Sequence, residues 1–456
     1  MNILESFNPA DGSVVGTVEV TPCDQVSARV ASARAAQKNW GRVSLAERRT
    51  RLSRVAEDIV ASSRDLGRLL TLEMGKPLAE AVGEVSHCGR SLNAELDEMY
   101  QALTPETFIS NQVQSTLFYD PLGVCAAITP WNFPFAMPHW LVLPALMAGN
   151  AVILKPSEET PLIGQAYVDL FAQHLPDGLL QVVHGADEQG QALVDADVDL
   201  IAFTGSKAVG QSIMRSASRQ LKRIILELGG KDPMVVLGDA NIRRAARFAA
   251  RNSFRNAGQV CVSTERIYVL DSMADAFVAA LADETAQMHM GPGLEKRTDV
   301  GPMISQRQRA HVLSQVEDAL GKGAALVAGG VKSDVGCFLS PIVLDHVNHE
   351  MDIATTETFG PVASVIRVGT VDEAIELANA SEYGLGAIVF GEDEARCEAV
   401  GRRLHAGMIG INRTVGGVAG TPWVGAKHSG LGFHKSVGGH RQFSQVRVLT
   451  KSIADA

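Results

Sequence analysis

Short apolar runs that alternate with helical segments constrain this chain more than any other feature. "GVCAAIT" (123–129), "NAVILKP" (150–156), "LLQVVHG" (179–185) and "DLIAFTGS" (199–206) read as strands. Strand–helix alternation of this kind predicts a mostly parallel sheet covered on both faces, the architecture of dinucleotide-binding domains. A second series follows. "DPMVVL", "ERIYVL", "GAALVAGG", "ASVIRV", "GAIVFG" and "GMIGIN" are its strands, and "NIRRAARFAARNSF", "VDEAIELANA" and "EARCEAVGRRLH" its helices. The spacing therefore predicts two α/β domains, the second beginning near Gly230, behind a helical region over 24–102 whose apolar residues recur three and four apart.

At 456 residues the chain is long enough for two or three domains with an interior site. Its 41 basic and 51 acidic residues include no basic block, which argues against nucleic acid or an anionic membrane as partner and for a small molecule. The six cysteines (23, 88, 125, 261, 337 and 397) form no metal-spaced cluster, so no metal site and a reduced, cytoplasmic protein are expected. The start, "MNILESFNPADG", lacks a secretory pattern. Pro121 to Leu154 carries no Asp, Glu, Lys or Arg, yet its four internal prolines (130, 134, 138 and 144) argue against a membrane helix and for buried strands and loops. "STLFYDP" (115–121) and "HRQFSQVRVLT" (440–450) fit neither series and read as strands that pair either as an edge hairpin or outside their own subunit.

Several short stretches carry chemistry. In "FTGSKAVG", Gly205 and Ser206 sit where a strand gives way to a helix, whose free N–H groups suit a phosphate, although the pattern is also that of a plain strand–helix turn. "LKPSEE" places Lys155 and Glu158 at the end of another strand, where a carboxylate can accept from a ribose diol or cap a helix. "ILELGGK" puts Glu227 at the end of an apolar strand, as a general base poised near neutral pH or as an ion-paired structural residue. "TPWNFP" holds Asn132 rigidly, to donate to an oxyanion or to close a turn. "NAGQVC" ends on a lone thiol, Cys261, which is a nucleophile or merely a small hydrophobe.

"TPWNFP", "LKPSE", "FTGS", "ELGGK", "NAGQVC" and "ETFGPV" occur in that order, and on them the chain resembles the NAD(P)-dependent aldehyde dehydrogenase superfamily over nearly its whole length. The resemblance implies a Rossmann-like cofactor domain (1–104 and 122–229), a second α/β catalytic domain (230–428) and a small β oligomerisation element with the C-terminal segment (105–121 and 429–456). It implies oxidation of an aldehyde to a carboxylic acid through a thiohemiacetal and a thioester on Cys261. Asn132 would stabilise the oxyanion, and Glu227 would activate the deacylating water. For the cofactor it implies Trp131, Lys155, Glu158, Gly205, Ser206, Glu357 and Phe359. NAD is favoured over NADP, because Glu158 repels a 2′-phosphate, with NADP use possible beside Lys155. It further implies a homodimer or homotetramer.

Two departures bear on this reading. The Arg-Glu pair common after the "SG.G" turn is replaced by Phe433 and His434, a histidine either relaying protons or exposed without a role. The arginine that succinate-semialdehyde members usually carry a few residues beyond the asparagine motif is also absent: the region has His139 and Trp140. With Trp140, Val260 and Val262 on the implied substrate tunnel, a neutral apolar or aromatic aldehyde is expected. The alternative is a semialdehyde whose acid group meets Arg413, a residue that is otherwise a solvated loop side chain. A CoA-acylating relative would generally lack Glu227, and a non-catalytic derivative would not be expected to keep Asn132, Glu227, Cys261 and Glu357 together.

Overall fold

The computed structural model describes residues 2–453. Four helices, Cys23–Trp40, Leu45–Ser53, Val55–Met74 and Leu78–Leu103, form the N-terminal layer. Gly75, at φ 92°, caps Val55–Met74 in the left-handed conformation, with its N–H on the Thr71 carbonyl at 2.8 Å. The chain reverses there without a Cβ penalty, and Lys76 is carried into the interior, 2 % exposed.

The first large sheet runs Leu180–Val182, Ala151–Lys155, Val124–Ile128, Leu200–Thr204, Arg223–Glu227, all parallel. Its three middle strands are buried at every position, which is why they read as unbroken apolar runs rather than alternating ones. Strand order reverses between Val124–Ile128 and Leu200–Thr204, so a crevice opens beyond the carboxyl ends of these two. Gly430–Leu431 returns from the C-terminal segment to add an antiparallel strand against Arg223–Glu227, with Gly430 opposite Glu227.

Only Leu228–Lys231 separate this sheet from the second, which runs Ala325–Ala328, Ile342–Asp345, Val362–Val368, Thr264–Leu270, Asp232–Val236, Gly386–Phe390, Met408–Ile411. It is parallel except for Ala325–Ala328. Each sheet has its own hydrophobic core. Glu106–Ser110, Val113–Pro121 and Ser444–Ser452 make a separate antiparallel sheet, so the two segments that fit neither α/β series pair with each other within the chain.

The charge-free stretch departs from expectation. Alongside two strands it contains a helix, Ala136–Met147, with Pro138 and Pro144 inside it. Pro138 lies in the first turn, where no N–H is needed. Pro144 forfeits a bond, at a cost of about 3 kcal/mol, offset by burial of nearly every side chain of the helix. Among the described residues no helix is long and apolar enough to cross a membrane.

Candidate active site

The crevice between the sheets divides into two connected cavities of about 690 and 420 Å3 that share Trp131, Thr204, Gly205 and Ser206. Lys155 and Glu158 line the larger; Glu357, Phe359, Asn132, Glu227 and Cys261 line the smaller. Lys155 Nζ stands 3.5 Å from Glu158 Oε2, and burial lowers its pKa. Ser206 caps the helix Lys207–Ser218, its Oγ accepting from the Val209 N–H at 3.4 Å. Gly205 permits the tight approach: a Cβ there would lie 2.4 Å from the Phe203 ring. The Trp131 and Phe359 rings meet edge to face at 5.4 Å. A two-chambered crevice, with a helix start at its waist and a carboxylate beside each chamber, fits an extended dinucleotide.

Glu357 Oε1 accepts from the Gly230 N–H at 2.9 Å, and burial, with Glu265 nearby, raises the carboxyl to about 8. Glu265 accepts from the Thr358 and Phe359 N–H groups, each at 2.9 Å, and is itself paired with buried Lys231. Phe359 adopts φ 50°, so this buried pair fixes an otherwise unfavourable loop.

The thiol sits at the amino end of the strand Thr264–Leu270, after three consecutive left-handed residues, Asn256, Ala257 and Gly258. The "NAGQ" residues explain themselves here. Asn256 Nδ2 donates to the Asn132 carbonyl at 3.1 Å and the Gln259 carbonyl at 3.2 Å. Gln259 Nε2 returns a bond to the Asn256 carbonyl at 3.1 Å, and its Oε1 accepts from the Ile304 N–H at 2.9 Å. At Gly258 a Cβ would fall 2.0 Å from the Gly360 oxygen. Asn132 donates from Nδ2 to the Gln259 carbonyl at 3.1 Å, while its own carbonyl accepts from Lys76 Nζ at 2.7 Å. Lys76 pairs with Glu84 at 2.7 Å, and Glu84 in turn accepts from the Phe135 and Ala136 N–H groups. The loop bearing Asn132 and the loop bearing Cys261 are thus tied together by buried hydrogen bonds, with Asn256 Oδ1 left without a partner.

Glu227 ends its strand within hydrogen-bonding reach of the Cys261 sulfur. Burial raises its pKa, while bonds from Trp423, Cys261 and Thr204 hold it down. Trp423 Nε1 donates to Oε1 at 3.0 Å, and Oε2 has no partner. Burial first, and the Glu227 charge second, push the Cys261 thiol well above its ordinary value. The resting thiol is therefore protonated, and Glu227 is the first of the carboxylates whose charge acts on it.

On the other side of Cys261 opens a cavity of about 460 Å3, lined by Trp140, Val260, Val262, Phe133, Met137 and Trp423 among others. Arg413 is exposed and stands outside that lining; the cation on the wall is Arg255, 4.0 Å from Glu80 Oε2. His434, the alternative to a relay being an exposed side chain, is instead 1 % exposed beside Trp140 and Trp423. The sequence reading missed Lys76, Glu84, Lys231, Glu265 and Trp423. Two charged residues beside glycine, in "MGKP" and "LGGK", were the available signal, since a lysine in a tight apolar turn calls for a buried partner.

Among the described residues no group of three His, Cys, Asp or Glu is placed to hold a metal ion. Residues 2–449 match the model of the aldehyde dehydrogenase family. The chain is 37 % identical over 455 residues to a glutarate-semialdehyde dehydrogenase of Pseudomonas putida, covering 99 % of this chain and 94 % of the relative. It is also 37 % identical over 448 residues to a 3-sulfolactaldehyde dehydrogenase of Pseudomonas putida, covering 97 % and 92 %. Among solved structures, an aldehyde dehydrogenase from Brucella melitensis superposes with a TM-score of 0.96 at 35 % identity, covering 100 % of this chain and 95 % of the other. An NADP complex of a glyceraldehyde-3-phosphate dehydrogenase from Bacillus halodurans superposes with a TM-score of 0.94 at 33 % identity, covering 99 % and 96 %. With that crevice and these relatives, the chain belongs to the aldehyde dehydrogenase family and is an NAD(P)-dependent oxidoreductase acting on aldehyde groups.

Proposed function

We propose that the protein oxidises an aldehyde with an apolar or aromatic body to the carboxylic acid, with Cys261 as nucleophile. The observation that carries this reading is the position of Cys261: on the wall common to the nicotinamide-sized chamber and the apolar cavity, with Glu227 beside it. Glu227 takes the thiol proton, and the thiolate adds to the aldehyde carbon. Asn132 Nδ2, whose second N–H is free of the Gln259 carbonyl, donates to the oxyanion of the thiohemiacetal. NAD(P), when bound along Lys155, Glu158, Gly205, Ser206, Trp131, Glu357 and Phe359, supplies the hydride acceptor. Glu227, having released the thiol proton to solvent, then draws a proton from water as it attacks the Cys261 thioester, and returns a proton to the departing thiolate as the acid is released.

The wall of Trp140, Trp423, Phe133, Met137, Val260 and Val262 supports the apolar body. A semialdehyde is the second reading, and Arg255 favours it as a cation on the same wall. Replacing Cys261 with Ala tests the core of the proposal. NADH binding is retained and turnover falls on the order of 10^3-fold or more; a variant that keeps its rate sinks the nucleophile assignment. The domain organisation inferred from sequence accords with one sheet holding the cofactor crevice and the other the thiol. The third sheet exposes Phe108, Ile109, Val446, Val448 and Leu449, which supports a homodimer or homotetramer joined there. Six free thiols support a reducing, cytoplasmic setting.

A further inference from the structure

His434 lies where an ionisable side chain has least to do as an acid or a base. It is 1 % exposed, and neither ring nitrogen has a hydrogen-bond partner among the described residues. Burial, with Lys435 and His440 adding to it, brings its pKa down to about 3, so the ring is neutral at any pH near 7. A relay needs a group that takes up and passes on protons in that range. What the ring does offer is a flat face. Its centroid lies 5.4 Å from that of Trp140 and 6.4 Å from that of Trp423, the latter nearly parallel at 18°, and the two indoles meet each other at 5.7 Å. Aromatic rings hold one another in preferred arrangements at such spacings.

The backbone brings the two residues together. Trp423 and His434 stand opposite one another in a short antiparallel ladder, beside Val424 and Phe433, so their side chains leave on the same face. Just before it, Gly430–Leu431 pairs with the end of the strand that carries Glu227. Gly432, at φ 76°, makes the turn between the two pairings. Behind His434 the helix Ser436–Arg441 presses so close that a Cβ at Gly439 would lie 2.7 Å from the His434 carbonyl carbon. The stretch 430–434 therefore docks on the strand of Glu227 at one end and on Trp423 at the other. Trp423 closes the circuit through its Nε1 donation to Glu227 Oε1 at 3.0 Å. An indole turns about two side-chain torsions, and a ring stacked on it by its ladder partner removes most of that freedom.

We propose that His434 is a positioning residue for the oxidation: its ring fixes the plane of the Trp423 indole and so keeps the indole N–H on Glu227. The inference rests on the reading of Glu227 as general base and deepens it. Besides Trp423, Cys261, Thr204 and Lys435 act on the Glu227 carboxyl, and Glu357 feels its charge. None of these is altered by a change at His434 that leaves the fold in place.

The experiment measures kcat against pH with NAD, on whichever of hexanal, benzaldehyde and succinate semialdehyde the wild type turns over fastest. It compares the wild type with His434→Ala, His434→Phe, Trp423→Phe and the double variant His434→Ala/Trp423→Phe. In His434→Ala the indole N–H strays, the Glu227 carboxyl rises, and the acid limb moves up by about half a unit to one unit, the direction of Trp423→Phe. His434→Phe, which keeps a flat ring, returns the limb to its wild-type position. In the Trp423→Phe background His434→Ala moves the limb no further. If His434→Ala fails to fold, His434→Leu, which fills the volume without a flat face, takes its place with the same shift expected. Equal loss of kcat in His434→Phe and His434→Ala, with the limb in place, would make the imidazole a proton carrier and overturn the inference. A limb that moves in Trp423→Phe but not in His434→Ala overturns it too, with Glu227 still the base. A limb unmoved in both overturns the Glu227 reading and the inference together.

Discussion

Trp423 Nε1 donates a 3.0 Å hydrogen bond to Glu227 Oε1 across 196 residues of chain, joining the wall of the substrate cavity to the proposed general base. The bond favours the ionised carboxylate and so opposes the burial that raises its pKa. In Trp423→Phe the carboxyl rises further, and less of it is ionised at any given pH. The acid limb of the kcat profile should move up by about one to two pH units, since a bond to a charged group is worth about 1.5–3 kcal/mol and one unit about 1.4. An unmoved limb would mean that the titrating group is not Glu227.

Asn132 and Lys76 touch one another but should fail differently. Asn132→Ala removes the proposed oxyanion donor and should cost about 10^2–10^3 in kcat with little change in melting temperature. Lys76→Met leaves Glu84 buried without its cation, which costs about 3–5 kcal/mol of stability. Thermal unfolding alongside steady-state kinetics separates the two.

Burial gives Glu357 a pKa of about 8 in the folded protein, against 4.5 for an ordinary glutamate. The folded state therefore binds more protons than the unfolded one between these values, and the contribution of Glu357 to stability is full below pH 4.5 and lost as pH rises through 8. In Glu357→Gln that loss is absent. Unfolding of the cofactor-free protein at pH 5 and pH 8.5 should show a smaller decline for the variant than for the wild type.

Glu158 lies about a third exposed at the larger chamber, 3.5 Å from Lys155. Glu158→Gln removes the charge that opposes a 2′-phosphate while leaving Lys155 to attract it. The NADP-to-NAD ratio of kcat/KM should rise about tenfold, the equivalent of some 1.4 kcal/mol. An unchanged ratio would assign cofactor choice to other residues.

What sequence revealed and what it hid divide along physical lines. The strands Val124–Ile128, Ala151–Lys155 and Leu200–Thr204 were legible because a strand buried on both faces must be apolar throughout. The helix Ala136–Met147 was hidden by the same uniformity, since burial on all sides erases the 3.6-residue period, and its two prolines pointed the other way. Glu227, Cys261 and Asn132 each stood in a motif whose local setting suggested chemistry. The pairs that hold their loops, Lys76 with Glu84 and Lys231 with Glu265, join residues eight and 34 positions apart, and no periodicity announces such a contact. Arg413 and Arg255 illustrate the same limit. Both are arginines near a motif, and only tertiary structure decides which one reaches the cavity.

The four residues Leu228–Lys231 connect one sheet to the other, with Glu227 immediately before them and the Gly230 amide bound to Glu357. A dinucleotide must enter and leave between those sheets, so any widening of the gap bends this short tether. The proposed base, Glu227, precedes the tether, and Glu357, proposed for the cofactor side, holds the Gly230 amide within it. On the proposed assignments, cofactor exchange and water activation share one mechanical joint, and a stiffer tether would slow the turnover cycle at release while leaving the bond-making geometry as it stands.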